Sequence, residues 1–131
     1  MTKTINQTVT FLTRPSRVYD ALMESELHSE FTKQKAVISK KVGGKIFAFD
    51  GWVKGVNKEL VRNAKIVQKW RESDWPKGVY SEATFLLKQM KNGTTKLYFT
   101  HKDVPEKFVK DIRKGWKEHY WKPMKKMLEQ K

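Results

Sequence analysis

Apolar and polar residues alternate from Thr4 to Leu12, which places Ile5, Gln7, Val9 and Phe11 on one side of a half-buried strand. The period then changes. Thr13-Arg14-Pro15-Ser16 supplies a capping candidate and a first-turn proline, and Val18, Tyr19, Leu22 and Met23 follow at helical spacing. Ser25 is the expected cap of a second short helix running to Phe31, because Leu27, His28 and Phe31 share one helical face.

From Lys35 to His101 the alternation returns and turn signals become regular, as in a meander of antiparallel strands. Gly43-Gly44 precedes a strand from Lys45 to Phe49. Asp50-Gly51 is expected to form a tight primed turn into Trp52 to Val56, and Asn92-Gly93 another between Tyr80 to Met90 and Thr94 to His101. Ala64 to Arg71 reads as a further strand, and Ser73 to Gly78 as a connecting turn. Beyond it Phe108, Ile112, Trp116, Tyr120 and Met124 recur every four residues, the stripe of a long amphipathic helix with Pro105 in its first turn and a kink expected near Pro123. The order is strand, two short helices, meander, long helix. An α+β helix-grip fold follows, with a curved antiparallel sheet of six to seven strands wrapped round the terminal helix.

Composition narrows the function classes. The chain has 131 residues, 38% hydrophobic and 12% aromatic, enough for one packed domain over residues 1–131. No apolar run approaches the ~20 residues of a bilayer span, and the polar opening Met1-Thr2-Lys3-Thr4 lacks the apolar centre of a secretory signal. A cytoplasmic protein without a membrane partner is therefore expected. No cysteine means no disulfide and no thiolate chemistry. Lys+Arg number 28 against 14 Asp+Glu, a formal +14, but 23 of the cations are Lys and only five are Arg. Forked recognition of phosphate or guanine favours Arg, so the charge reads as general surface basicity and nucleic-acid binding ranks third among the functions considered.

Four sequence blocks carry a family resemblance: Gly43-Gly44-Lys45-Ile46-Phe47 with Asp50-Gly51; Ile66-Val67-Gln68-Lys69-Trp70-Arg71; Trp75-Pro76-Lys77-Gly78; and Gly115-Trp116-Lys117-Glu118-His119-Tyr120-Trp121. Together they resemble the activator of heat-shock protein 90 ATPase homologue family, carboxy-terminal-domain type, within the START-like or birch-pollen-allergen-like (SRPBCC) superfamily. The resemblance runs from Gln7 to Leu128, with single-domain members nearest. It implies the same helix-grip fold. It also implies a co-chaperone-like module that binds a heat-shock protein 90 homologue and stimulates its ATPase without supplying catalytic residues.

Local chemistry is sparse. His28, His101 and His119 have no ligand partner at motif spacing, so no metal, no cofactor and no enzyme activity are expected. Asp50, Glu82 and Asp103 would serve as acids or bases only if the fold gathered them, and Asp50 and Glu82 have sufficient readings as a turn residue and a solvent-facing charge. Six lysines are the candidate partner contacts: Lys107, Lys110, Lys114 and Lys117 along the long helix, partly offset by Asp111 and Glu118, and Lys40-Lys41 before the double glycine.

The aromatic residues Phe47, Phe49, Trp70, Tyr80, Phe99, Trp116 and Tyr120, with Trp52 nearby, are candidate walls of a cavity for a small apolar ligand, against the simpler outcome of a filled core. Trp116 and Trp121 lie five positions apart and cannot both point inward on an ideal helix, so one is expected as an exposed contact.

Overall fold

Seven strands make one antiparallel sheet: β1 (Thr2–Phe11), β2 (Val37–Ile38), β3 (Lys45–Ala48), β4 (Val53–Val61), β5 (Lys65–Glu72), β6 (Ser81–Gln89) and β7 (Thr95–Pro105). Their spatial order is β1-β7-β6-β5-β4-β3-β2, so the meander pairs neighbour with neighbour and β1 closes against β7. Helices α1 (Pro15–Met23) and α2 (Ser25–Thr32) follow β1. After β7 come a 3₁₀ turn (Glu106–Phe108), α3 (Val109–Gly115), a π-helical turn (Trp116–Trp121) and α4 (Lys122–Leu128), continuous with one another. This computed structural model describes residues 1–129.

The sheet buries the face predicted by alternation. Ile5 and Phe11 of β1, Ala83 and Phe85 of β6, and Leu97 and Phe99 of β7 join Ile112, Trp116, Tyr120 and Met124 of the terminal helix in one contiguous core. The helix-grip arrangement thus follows from two apolar surfaces with different periods covering each other. Among the described residues no helix is long and apolar enough to cross a membrane.

Several local expectations are corrected. Pro15 occupies the first turn of α1, but Arg14 caps it without a side-chain bond, and the Thr13 carbonyl instead accepts a bond from Thr95 Oγ1 at 2.7 Å. Ser25 does not cap α2, because its Oγ accepts the Ile38 N–H at 2.8 Å and so ties the helix to β2. Pro105 ends β7, paired with Thr2, and precedes the helix.

The turns differ in kind as well. At Asn92-Gly93 only Gly93 has positive φ; its N–H donates to the Met90 carbonyl at 3.0 Å, so this is an ordinary turn closed by a left-handed glycine and not a primed one. Asp50-Gly51 does form the expected primed turn, with φ 57 and 97 and the Trp52 N–H on the Phe49 carbonyl at 3.1 Å, but the left-handed region begins one residue earlier, at Phe49 (φ 51), and Trp52 belongs to the turn. Strand β4 runs on to Val61, well past Val56, through a bulge between Asn57 and Glu59. The bulge absorbs a residue that strict alternation cannot accommodate.

Candidate functional site

The terminal helix is held to the sheet by a chain of buried polar bonds. Trp116 Nε1 donates to His101 Nδ1 at 3.0 Å, His101 Nε2 meets Ser81 Oγ at 2.6 Å, and Ser81 Oγ donates to the Trp70 carbonyl at 2.7 Å. An indole nitrogen can only donate, so Nδ1 is the acceptor, Nε2 carries the hydrogen, and every donor has a partner. Burial holds the His101 pKa down to about 3. The ring is a strut between four elements. His28 is likewise buried, with its pKa lowered to about 4, and shares a 2.9 Å bond between Nε2 and the Tyr120 hydroxyl. His119 alone is exposed, edge-on to Phe49 at 6.0 Å.

Trp116 and Trp121 are both buried, at 2% and 5% exposure, and their rings stack at 5.6 Å and 19°. The expectation that one is an exposed contact is overturned by the π-helical turn. There the Lys122 N–H bonds to the Lys117 carbonyl, five residues back, and residues five apart come round to the same side. Pro123 follows at once; widening the turn before it relieves the clash a proline ring makes with the carbonyl four residues earlier in a regular helix.

Beside this anchor lies an open groove of about 890 Å³ between the β3–β4 turn, the end of β5 and the terminal helix. Five of the predicted aromatic residues line it: Phe47, Phe49, Trp70, Trp116 and Tyr120. Phe47 and Phe49 do not share a strand face, because Phe49 sits in the turn. Phe99 is not in the groove; it is sealed in the core, 4.4 Å from the Trp116 ring. Tyr80 is 49% exposed and lies outside, under the Arg71 guanidinium. Its neighbour Ser81 takes the inward position to reach His101, and alternation turns Tyr80 out.

Sequence reasoning missed several members of this site. Phe108 and Ile112 line the groove, and their place in the helical stripe was the available signal. Trp75 is buried, stacked on Phe108 at 6.2 Å, although its Trp-Pro setting reads as a loop. Arg71 holds that loop, donating to the carbonyls of Pro76 (2.8 Å), Trp75 (3.0 Å) and Val79 (3.2 Å). Glu72 accepts a bond from exposed Trp52 at 3.2 Å. Its pKa is raised by burial, with the nearby charges of Asp74 and Asp111 adding to the effect against the Trp52 bond.

The three suggested carboxylates do not converge. Asp50 lines the groove, whereas Glu82 lies on the outer face of the sheet between Lys58 and Lys102, whose bonds, Lys58 first, hold its pKa low. Asp103 is exposed at left-handed φ in β7, where pairing with β1 is irregular.

All six candidate lysines are exposed. Lys40 pairs with Glu24. The loop carrying Lys40 and Lys41 is clamped by buried Asn57, whose Nδ2 donates to the carbonyls of Ser39 (2.6 Å) and Lys41 (3.1 Å) while its Oδ1 accepts from Gln68 Nε2 (3.0 Å). Lys107, Lys110, Lys114 and Lys117 have no carboxylate within 4.0 Å among the described residues. Neither of the two carboxylates expected to offset them is ion-paired to the stripe: Glu118 is taken by Lys122 at 3.3 Å and Asp111 lines the groove.

The model of the family "Activator of Hsp90 ATPase homolog 1-like protein" matches residues 12–129. The chain belongs to this family. It is 34% identical over 116 residues to the human "Activator of 90 kDa heat shock protein ATPase homolog 1", and 32% identical over 130 residues to homolog 2 from mouse. These alignments cover 88% and 98% of this chain but 34% and 38% of the relatives, so the chain spans little more than a third of the length of these family members. Among solved structures, an HSP90 activator from Plasmodium falciparum superposes with a TM-score of 0.91 at 25% identity, over 96% of both chains. A Chromobacterium violaceum protein superposes with a TM-score of 0.81 at 21% identity over 98% of both, a likeness of fold. The expected family and helix-grip fold are thus both met.

Proposed function

We propose that this member of the family is a co-chaperone-like module that binds a heat-shock protein 90 homologue and raises its ATP turnover without contributing a catalytic group. The observation that carries the reading is the end-to-end match to the Plasmodium falciparum HSP90 activator, over 96% of both chains. The solved chain of that relative has the extent of this fold alone, which supports the reading of a module of this size.

The contact face in this reading is the lysine stripe Lys107, Lys110, Lys114 and Lys117, with Lys40 and Lys41 as a second patch. The stripe is exposed and, among the described residues, free of ion pairs, so its cations outnumber Asp111 and Glu118 beside them and are available to an acidic partner surface. Acceleration requires differential binding: the module must favour the hydrolysing conformation of the chaperone, since equal affinity for two states shifts neither.

The test is the steady-state ATP turnover of the source organism's heat-shock protein 90 homologue, with and without the protein and with its Lys110→Glu, Lys114→Glu variant. Stimulation by the wild type that is lost in the folded variant is the expected result. Turnover unchanged by the wild type at saturating concentration overturns the activator reading, and stimulation retained by the variant overturns the contact face.

A further inference from the structure

The aromatic groove carries a charge opposite to that of the molecule. Across the chain cations outnumber anions two to one, 28 to 14, yet the groove is lined by four carboxylates, Asp50, Glu72, Asp74 and Asp111, and one lysine, Lys54. The four come from the β3–β4 turn, the end of β5, the β5–β6 loop and α3. Among the described residues none of them takes part in an ion pair.

The walls are apolar and aromatic. Trp70, Trp116 and Phe108 form the floor, and Trp52 stands at the mouth, 46% exposed, with its N–H turned to Glu72. Glu72 is partly withdrawn from water, and the like charges of Asp74 and Asp111 act on it in the same direction. Among the described residues no three His, Asp or Glu side chains are gathered closely enough to hold a metal ion. What fits is a diffuse positive charge with an apolar body. Exposed indole faces attract such a head, carboxylates complement it, and a volume of about 890 Å³ is in the usual range for a small-molecule site.

We propose that this groove binds a small organic cation, an ammonium group carried on an apolar body, with the body along Trp70, Trp116 and Phe108 and the head among Trp52, Glu72 and Asp111. None of the stripe lysines lines the groove, although Lys107 Nζ lies 5.8 Å from the Phe108 ring at its edge, and the site stands whether or not the protein activates a chaperone.

Three probes with one hydrocarbon body decide it: hexylammonium, hexan-1-ol and hexanoate, titrated against the full chain by calorimetry, with the Trp52 indole N–H followed by NMR. The net charge of the protein favours hexanoate, so a preference for the cation reports the groove. Hexylammonium is expected to bind about tenfold more tightly than hexan-1-ol and to shift the Trp52 signal, as one desolvated cation–aromatic contact would give. The Glu72→Gln, Asp111→Asn variant is expected to abolish that preference, hexylammonium losing far more affinity than hexan-1-ol; Asp74→Asn, on an exposed loop, provides a second variant that leaves the packed residues in place and is expected to weaken the preference. Equal binding of hexylammonium and hexan-1-ol, tightest binding of hexanoate, no saturable binding of any probe, or a preference that survives both variants overturns the proposal.

Discussion

The Trp116 indole N–H and His101 Nδ1 lie 3.0 Å apart in the dry interior, and this bond fixes which nitrogen of a fully buried imidazole bears its hydrogen. Protonating the ring would put a second donor against the indole and leave a charge without a counter-ion.

Stability should therefore fall as the solution becomes mildly acidic. His28 and His101 are held to about 4 and about 3, below the ordinary 6.5, so between those values and 6.5 the unfolded chain binds more protons than the native one. Stability from these rings is complete above 6.5 and declines below it, by about 1.4 kcal/mol per pH unit for each ring, until the folded values are reached. Urea midpoints measured from pH 6.5 to 5, where most carboxylates remain ionised, check this. His101→Phe should lower stability at pH 7 yet remove about half of the slope.

Trp121→Ala should destabilise the protein by about 3–5 kcal/mol, as much as Trp116→Ala, because both rings are buried. An exposed Trp121 would cost well under about 1 kcal/mol. Gln7→Ala, which leaves the Trp121 N–H without its 2.7 Å acceptor, should cost about 1–3 kcal/mol. Chemical unfolding of the three variants separates the cases.

Asn57→Ala should cost about 1–3 kcal/mol and loosen the segment carrying Lys40 and Lys41, since one amide satisfies two of its carbonyls. Faster hydrogen exchange at the Gly43 N–H, which bonds to the Asn57 carbonyl at 2.8 Å, is the local readout.

Gly55→Ala should disrupt β4 where it passes β5. A methyl group at residue 55 would lie 1.8 Å from the Lys69 carbonyl oxygen, which belongs to the backbone of the neighbouring strand and has nowhere to retreat. Loss of more than about 3 kcal/mol, or failure to accumulate folded protein, is the expected outcome.

Element order and core were legible in the sequence because they rest on periods. Alternation from Ile5 to Phe11 and the four-residue recurrence from Phe108 to Met124 each select one face without knowledge of the other. Relationships that depend on how elements meet were not legible. Trp70, Ser81, His101 and Trp116 sit on four elements and become a hydrogen-bonded series only after β5, β6 and β7 are paired. Asp50, Glu72, Asp74 and Asp111 are likewise scattered along the chain, and a whole-chain charge of +14 conceals them. Tyr80 was misplaced against its own alternation: it shares the parity of outward Glu82, while Ser81, Ala83, Phe85 and Leu87 take the inward positions.

A π-turn amounts to one residue added to an α-helix whose two halves both keep their packing. Aligned with a relative whose helix is regular at this point, the chain would demand a one-residue gap between Trp116 and Trp121, and a helical wheel drawn through the whole segment would be wrong by about 100° beyond it. Counted with the added residue, Lys122, Lys125 and Lys126 prolong the stripe of Lys107, Lys110, Lys114 and Lys117, and Lys117, Lys122 and Lys125 border one surface hollow. The added residue thus keeps one basic face continuous across the turn, where a regular α-helix would have swung Lys122 and Lys126 away from it.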